Sequence, residues 1–193
     1  MKNILEKICE DKKIFIEKEK KKININFLIK NTSKKTKVRD FKKAFDKVLK
    51  KRKIPVISEL KKKSPSQGKI NKSFSPITIA KKYEKNGATC LSILTEEKYF
   101  DGSLNHLKAD RKITNLPILR KDFIIDSYQI IESKYSGVDC ILLIMAALEK
   151  NHAKELESTA NEYGLNVLLE VHNEKELEQA LDLKSSFIGI NNR

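Results

Sequence analysis

From Ile54 onward the chain alternates short apolar runs with longer stretches of helical period. The runs are Ile54 to Lys61, Cys90 to Thr95, a run that begins after Pro117, Cys140 to Met145, Asn166 to Val171 and Phe187 to Ile190. Each has strand length and is rich in Ile, Leu and Val. Cys140-Ile141-Leu142-Leu143-Ile144-Met145 is apolar throughout, as expected of a parallel strand covered on both faces. Helix signals fill the gaps. Ser75 reads as an N-cap with Pro76 at the first helical position, and that helix stops at Gly87. Further helices are predicted from Ser103 to Lys112, from the Asp126 cap to Gly137, from Lys150 to Tyr163 before Gly164, and from the Asn173 cap to Leu183. Six strands alternating with five helices predict a parallel α/β sheet.

The first third is different. Ile4, Leu5, Ile8, Ile14 and Phe15 recur at helical spacing within residues 1–22, and Phe41, Phe45, Val48 and Leu49 mark a second helix from Arg39 to Arg52. Asn31 to Thr36 reads as a loop. With no strand until Ile54, residues 1–52 are expected to form a helical extension, and residues 53–193 the sheet domain. The formal charge is +14, but residues 1–82 carry 27 Lys+Arg against 8 Asp+Glu and residues 83–193 carry 13 against 18. The basic excess therefore belongs to the N-terminal part. Lys outnumbers Arg 35 to 5, and the run Lys18 to Lys22 has no interleaved aromatic residues, so no base-stacking platform is expected. No apolar run approaches the roughly 18 residues that span a bilayer. The charged N-terminus lacks a secretory apolar core, and Cys9, Cys90 and Cys140 show no paired spacing, so a cytoplasmic setting is expected.

Candidate chemistry sits at the strand ends. Glu59 and Lys61 are two apart and share a face of the first strand. One of Arg120 and Lys121 must face inward at the end of the third. Glu170 ends the fifth within an apolar run, and Asn191 and Arg193 follow the sixth, again two apart. Ionisable groups gathered at the C-terminal ends of parallel strands describe a (β/α) barrel with its site at that end. The set can bind anions and supply a general acid and a base. Ser64 to Lys69 lacks the leading glycine and the Lys-Ser/Thr ending of a phosphate-binding P-loop, and His106, His152 and His172 form no metal-binding pattern.

At these residues the chain resembles the indole-3-glycerol-phosphate synthase family. The segments that carry the resemblance are PVISELKKKSPSQG (55–68), YEKNGATCLSILTEEKYFDGSL (83–104), LPILRKDFIIDSYQI (116–130), GVDCILLIMAAL (137–148), GLNVLLEVHNEKELEQAL (164–181) and IGINNR (188–193). The resemblance implies a (β/α)₈ barrel with a helical N-terminal extension. It implies ring closure, decarboxylation and dehydration of 1-(2-carboxyphenylamino)-1-deoxyribulose 5-phosphate, with no cofactor and no metal. Carried over by position, Lys121 is expected to be the general acid, Glu170 its partner in proton transfer and dehydration, Lys61 the holder of the substrate's anionic groups, Glu59 its companion carboxylate, and Asn191 the orienting amide. Ser64 and Arg193 are expected to meet the phosphate and the carboxylate, and Phe100 and Phe123 to line the slot for the anthranilate ring. The expected partner is a small substrate with a carboxylate and a phosphate. No specific nucleic acid and no membrane are expected, and the parent enzyme is expected to be a monomer.

The resemblance also implies a seventh and eighth strand, bearing a Glu-Ser pair and phosphate-binding loops, beyond Arg193. The expectation is a partial barrel of strands one to six, inactive on its own. Two other readings stand beside it: a non-catalytic remnant whose charge serves nucleic acid, and a partial barrel completed by a separate chain.

Overall fold

The alternation of strand and helix is the architecture the chain adopts. The computed structural model describes residues 3–32, 37–70 and 73–192. In chain order the helices are α1 (Ile4–Lys22), α2 (Ile25–Asn31), α3 (Phe41–Leu49), α4 (Pro76–Lys85), α5 (Leu104–Ile113), α6 (Ser127–Tyr135), α7 (Lys150–Glu162) and α8 (Glu174–Leu181). The strands are β1 (Ile57–Leu60), β2 (Lys63–Ser64), β3 (Gly68–Lys69), β4 (Cys90–Leu94), β5 (Ile118–Lys121), β6 (Cys140–Ile144), β7 (Asn166–Val171) and β8 (Phe187–Ile190). The main sheet runs β1-β4-β5-β6-β7-β8, and β2 and β3 form a separate antiparallel pair. No described helix is long and apolar enough to cross a membrane.

The described residues fall into two compact units. One holds residues 37–122 and 136–140. In it β1 pairs with β4, and β4 with β5, both in parallel. Leu60, Leu91, Ile93, Leu107 and Ile118 form its core, each 1% exposed or less. A buried carboxylate pins its segments together. Asp139 accepts the Arg39 backbone N–H at 2.7 Å, the Ile118 N–H at 2.8 Å and the Arg111 guanidinium at 2.6 Å. Three donors, one of them a cation, offset part of the cost of burying that charge, although burial still outweighs them and pushes the carboxyl above its ordinary value.

The other unit holds residues 3–32, 123–135 and 141–192. Its first helix starts on a capping box, with the Asn3 side chain accepting the Glu6 N–H at 2.8 Å and Glu6 accepting the Asn3 N–H at 3.2 Å. Ile8 and Ile16 bury one face, and three lysines occupy the last turn, where the helix dipole favours cations. Lys20 reaches Asp126, the cap of α6, at 2.8 Å, and the Tyr128 hydroxyl donates to the Ile23 carbonyl at 3.0 Å. In the sheet β7 pairs in parallel with β8. Glu157 accepts the N–H groups of Lys184 and Ser185 at 2.8 and 2.7 Å, fixing the turn that leads into β8.

Four details depart from the sequence reading. A helix, α2, occupies residues 25–31, so Asn31 is helical rather than in the loop; residues 33–36 lie outside the described residues. The alternation Ile23-Asn24-Ile25-Asn26 has the period of a strand, and the Asn24 cap on the Asn26 N–H at 2.8 Å overrides it. The first strand is shorter than expected, 57–60 rather than 54–61, because Pro55 has no N–H to give a ladder. The loop after it folds into the β2–β3 pair around Gly68, whose φ of 66° suits glycine. Ser75 stands at the N-cap of α4 but makes no capping bond; its hydroxyl donates to Thr78 at 2.9 Å instead.

Candidate active site

Register decides which strand-end side chains share a face. Glu59, Ser92 and Leu119 stand abreast on β1, β4 and β5, and two residues on Leu94 stands beside Lys121. Parallel partners project to the same side of a sheet, and so do residues two apart on a strand. Glu59 and Lys121 therefore lie on one face of these three strands, and Lys61, the residue just past the end of β1, joins Glu59 there. The ammonium of Lys61 meets the Glu59 carboxylate at 2.6 Å, with the two side chains 23% and 30% exposed. The strand alternates as expected, and Arg120 takes the opposite face. It is buried there with Thr95 and Asp122, joined by Arg120 Nη2–Asp122 Oδ2 at 3.1 Å and Thr95 Oγ1–Asp122 Oδ2 at 2.7 Å.

Loops of the same unit carry two more expected residues. Ser64 is buried in β2, where its hydroxyl accepts the Gln67 N–H at 3.2 Å. Lys62 pairs with Asp101 at 2.7 Å. Phe100 is half-buried in the loop after β4. That loop is wound on Glu96, a residue the sequence reading passed over. Glu96 is 4% exposed and accepts the N–H groups of Lys98, Tyr99 and Phe100 at 3.2, 2.6 and 3.2 Å. A carboxylate that collects the N–H groups two, three and four residues on is the capping pattern, and its spacing ahead of Tyr99 was the available signal. Gly102 closes the loop. A Cβ there would lie 2.6 Å from the Leu94 carbonyl oxygen and 2.7 Å from that of Glu96.

In the other unit Glu170 and Asn191 come together. The Asn191 amide donates to Glu170 Oε1 at 3.0 Å, and its backbone N–H donates to the Val171 carbonyl at 2.8 Å. Glu170 stands beside Gly189 on β8, so no neighbouring side chain crowds the carboxylate from that position. His172, another residue not singled out as functional, sits 3.7 Å from Glu170 through Nε2 and 3.1 Å from Glu176 through Nδ1. Phe123 is half-buried, and its carbonyl accepts the Gln129 amide at 3.0 Å. Arg193 lies outside the described residues. Cys90 and Cys140 are buried, as their apolar runs implied, and burial pushes the Cys90 thiol up to about 12.

Parallel strands that carry Glu59 with Lys61, then Lys121, then Glu170 at or near their C-terminal ends have the build of the (β/α)-barrel enzymes. Solved structures agree on the fold. Tryptophan synthase subunit alpha from Legionella pneumophila matches with a TM-score of 0.57 at 14% identity, over 78% of this chain and 66% of that one. A structure of the tryptophan synthase complex from Pyrococcus furiosus matches with a TM-score of 0.50 at 16% identity, over 70% of this chain and 64% of that one. At the level of sequence, the family model for indole-3-glycerol phosphate synthase matches residues 5–193. An indole-3-glycerol phosphate synthase from Zymomonas mobilis subsp. pomaceae is 46% identical over 193 residues, covering 100% of this chain and 73% of the relative. One from Polynucleobacter necessarius subsp. necessarius is 47% identical over 198 residues, covering 100% and 74%. The chain belongs to the indole-3-glycerol phosphate synthase family. Its activity is that of a carboxy-lyase in tryptophan biosynthesis.

Proposed function

We propose that Lys121 is the general acid of the reaction, Glu170 the carboxylate that follows it, and Lys61 the anion holder. The substrate of this reading is 1-(2-carboxyphenylamino)-1-deoxyribulose 5-phosphate. Ring closure builds negative charge on the ribulose carbonyl oxygen, and an ammonium aimed at that oxygen donates its proton as the charge forms. Carbon dioxide then leaves, and loss of the new hydroxyl as water completes the indole. Glu170, held by the Asn191 amide at 3.0 Å, takes and returns the protons of that dehydration. Lys61, paired with Glu59 at 2.6 Å, offers a cation that a substrate carboxylate or phosphate can share. Ser64 and Arg193 add anion contacts, and Phe100 and Phe123 flank the anthranilate ring.

The observation that carries this reading is the common face of Glu59, Lys61 and Lys121 across β1, β4 and β5. It supports one anion-holding pair and one separate proton donor on the same side of the sheet. The same reading takes residues 1–52 as a helical extension of a barrel enzyme. It places the protein in the cytoplasm, as a monomer acting on a small phosphorylated substrate without nucleic acid. The test is Lys121→Ala in the full-length gene product. The turnover number is expected to fall by roughly 10²- to 10⁴-fold, the range for loss of a general acid. KM should change little, as for a group that acts in the transition state. An unchanged turnover number removes Lys121 from the mechanism.

A further inference from the structure

We infer that Thr95, Arg120 and Asp122 are positioning residues that hold Lys121 through its own backbone; this rests on the reading of Lys121 as the acid. Arg120 and Asp122 are the chain neighbours of Lys121 on either side; Arg120, on β5, projects from the sheet face opposite to Lys121, and Asp122, just past the strand end, meets it there. Both are buried, at 3% exposure each, and both end on the same hydroxyl. Thr95 Oγ1 donates to Asp122 Oδ2 at 2.7 Å and accepts from Arg120 Nε at 3.1 Å, while Arg120 Nη2 reaches Asp122 Oδ2 at 3.1 Å. A threonine hydroxyl has one proton to give and lone pairs to receive, and this arrangement uses both capacities. The backbone closes the bracket, since the Thr95 N–H donates to the carbonyl of Lys121 itself at 3.1 Å.

Residues before and after Lys121, and its own peptide carbonyl, are thus tied to one residue just past the end of β4. Twisting the end of β5 to swing the ammonium away would require breaking a buried, charge-assisted bond. A stability role alone explains this arrangement poorly. A buried ion pair contributes little net stability over apolar residues of the same volume, because desolvation offsets the attraction. What such a network supplies is a fixed geometry, and a displacement of about 1 Å at a reacting group can cost on the order of 10²-fold in rate.

The experiment is a double-mutant cycle in the full-length gene product, assayed well below the melting temperature. Thr95→Val keeps the shape and removes both side-chain bonds. Its turnover number is expected to drop about 10- to 100-fold with KM nearly unchanged. Thr95→Ser, which restores the hydroxyl, should recover most of the loss. On a Lys121→Ala background, Thr95→Val should cost nothing further in turnover, because the group it positions is gone. Two outcomes overturn the inference: normal turnover in Thr95→Val with only a lowered melting temperature, or an undiminished loss on the Lys121→Ala background. Should Thr95→Val not fold, Asp122→Asn carries the same comparison, since it keeps an acceptor oxygen and removes the charge. Failure of the underlying reading looks different, because Lys121→Ala alone would then turn over normally.

Discussion

Glu59 and Lys61 show at the residue scale how much a sequence can disclose. An acid and a base two apart on a strand must share a face, so their pairing is legible in the sequence alone. Their energetics separate a stabilising role from a chemical one. A partly exposed ion pair contributes about 0–1 kcal/mol. Glu59→Gln should therefore leave the free energy of unfolding within about 1 kcal/mol of the parent, while kcat/KM falls; chemical denaturation and steady-state kinetics on one preparation check both halves. Gly102 is a sharper case. A methyl group there meets two backbone carbonyl oxygens at 2.6 and 2.7 Å, which no side-chain motion can relieve. Gly102→Ala should cost about 1–3 kcal/mol of stability. It should also raise KM, since the loop wound on Glu96 carries Phe100. A melt and a KM unchanged together would show that the loop is not held as described. The choice between Arg120 and Lys121 is not legible in the same way. Alternation says that they oppose each other, but the face each takes follows from register with β4 and from Thr95, a residue 25 positions away.

At the scale of elements, the strands β4 and β6 are the most readable, because burial of every residue on both faces leaves an unmistakable apolar run. The helix α2 is not, because seven residues with one fully buried side chain, Leu28, carry too little periodicity. Helix α5 holds a different surprise. Asp110 points its side chain into the interior at 0% exposure, and neither carboxylate oxygen has a hydrogen-bond partner among the described residues. Burial pushes its carboxyl up to about 6, above the ordinary 3.8. The sign follows from proton binding. The folded state holds this proton more tightly than the unfolded chain, so stability is highest below the unfolded value, declines as pH rises through about 6, and levels off above. The full penalty is on the order of 3 kcal/mol. Asp110→Asn should therefore flatten the dependence of melting temperature on pH between about pH 4 and pH 7.5 relative to the parent. A variant whose pH dependence matches the parent would show that the carboxyl finds a partner in solution.

At the scale of the whole molecule, charge is the property that sequence states most plainly and explains least. The +14 total comes from residues 1–82. It predicts weak, non-specific attraction to polyanions that disappears with salt. Filter binding to duplex RNA should lose affinity steeply between about 50 and 200 mM salt. A tight complex that discriminates between RNA sequences would instead favour a nucleic-acid role. The fold class is legible because alternation of strand and helix admits few topologies. The division into two units is not, since each is assembled from segments distant in the chain. Asp139 makes that concrete, joining Arg39, Arg111 and Ile118 across sequence separations of 100, 28 and 21 residues. During synthesis the chain emerges from its N-terminus. The strands β1, β4 and β5 are therefore made well before the carboxylate that ties them to residue 39. Until residue 139 is available, the Ile118 N–H and the Arg111 guanidinium lack the carboxylate that accepts from both. A nascent chain halted short of that point should remain sensitive to protease between residues 37 and 122, and protection should arrive with the next few dozen residues rather than gradually.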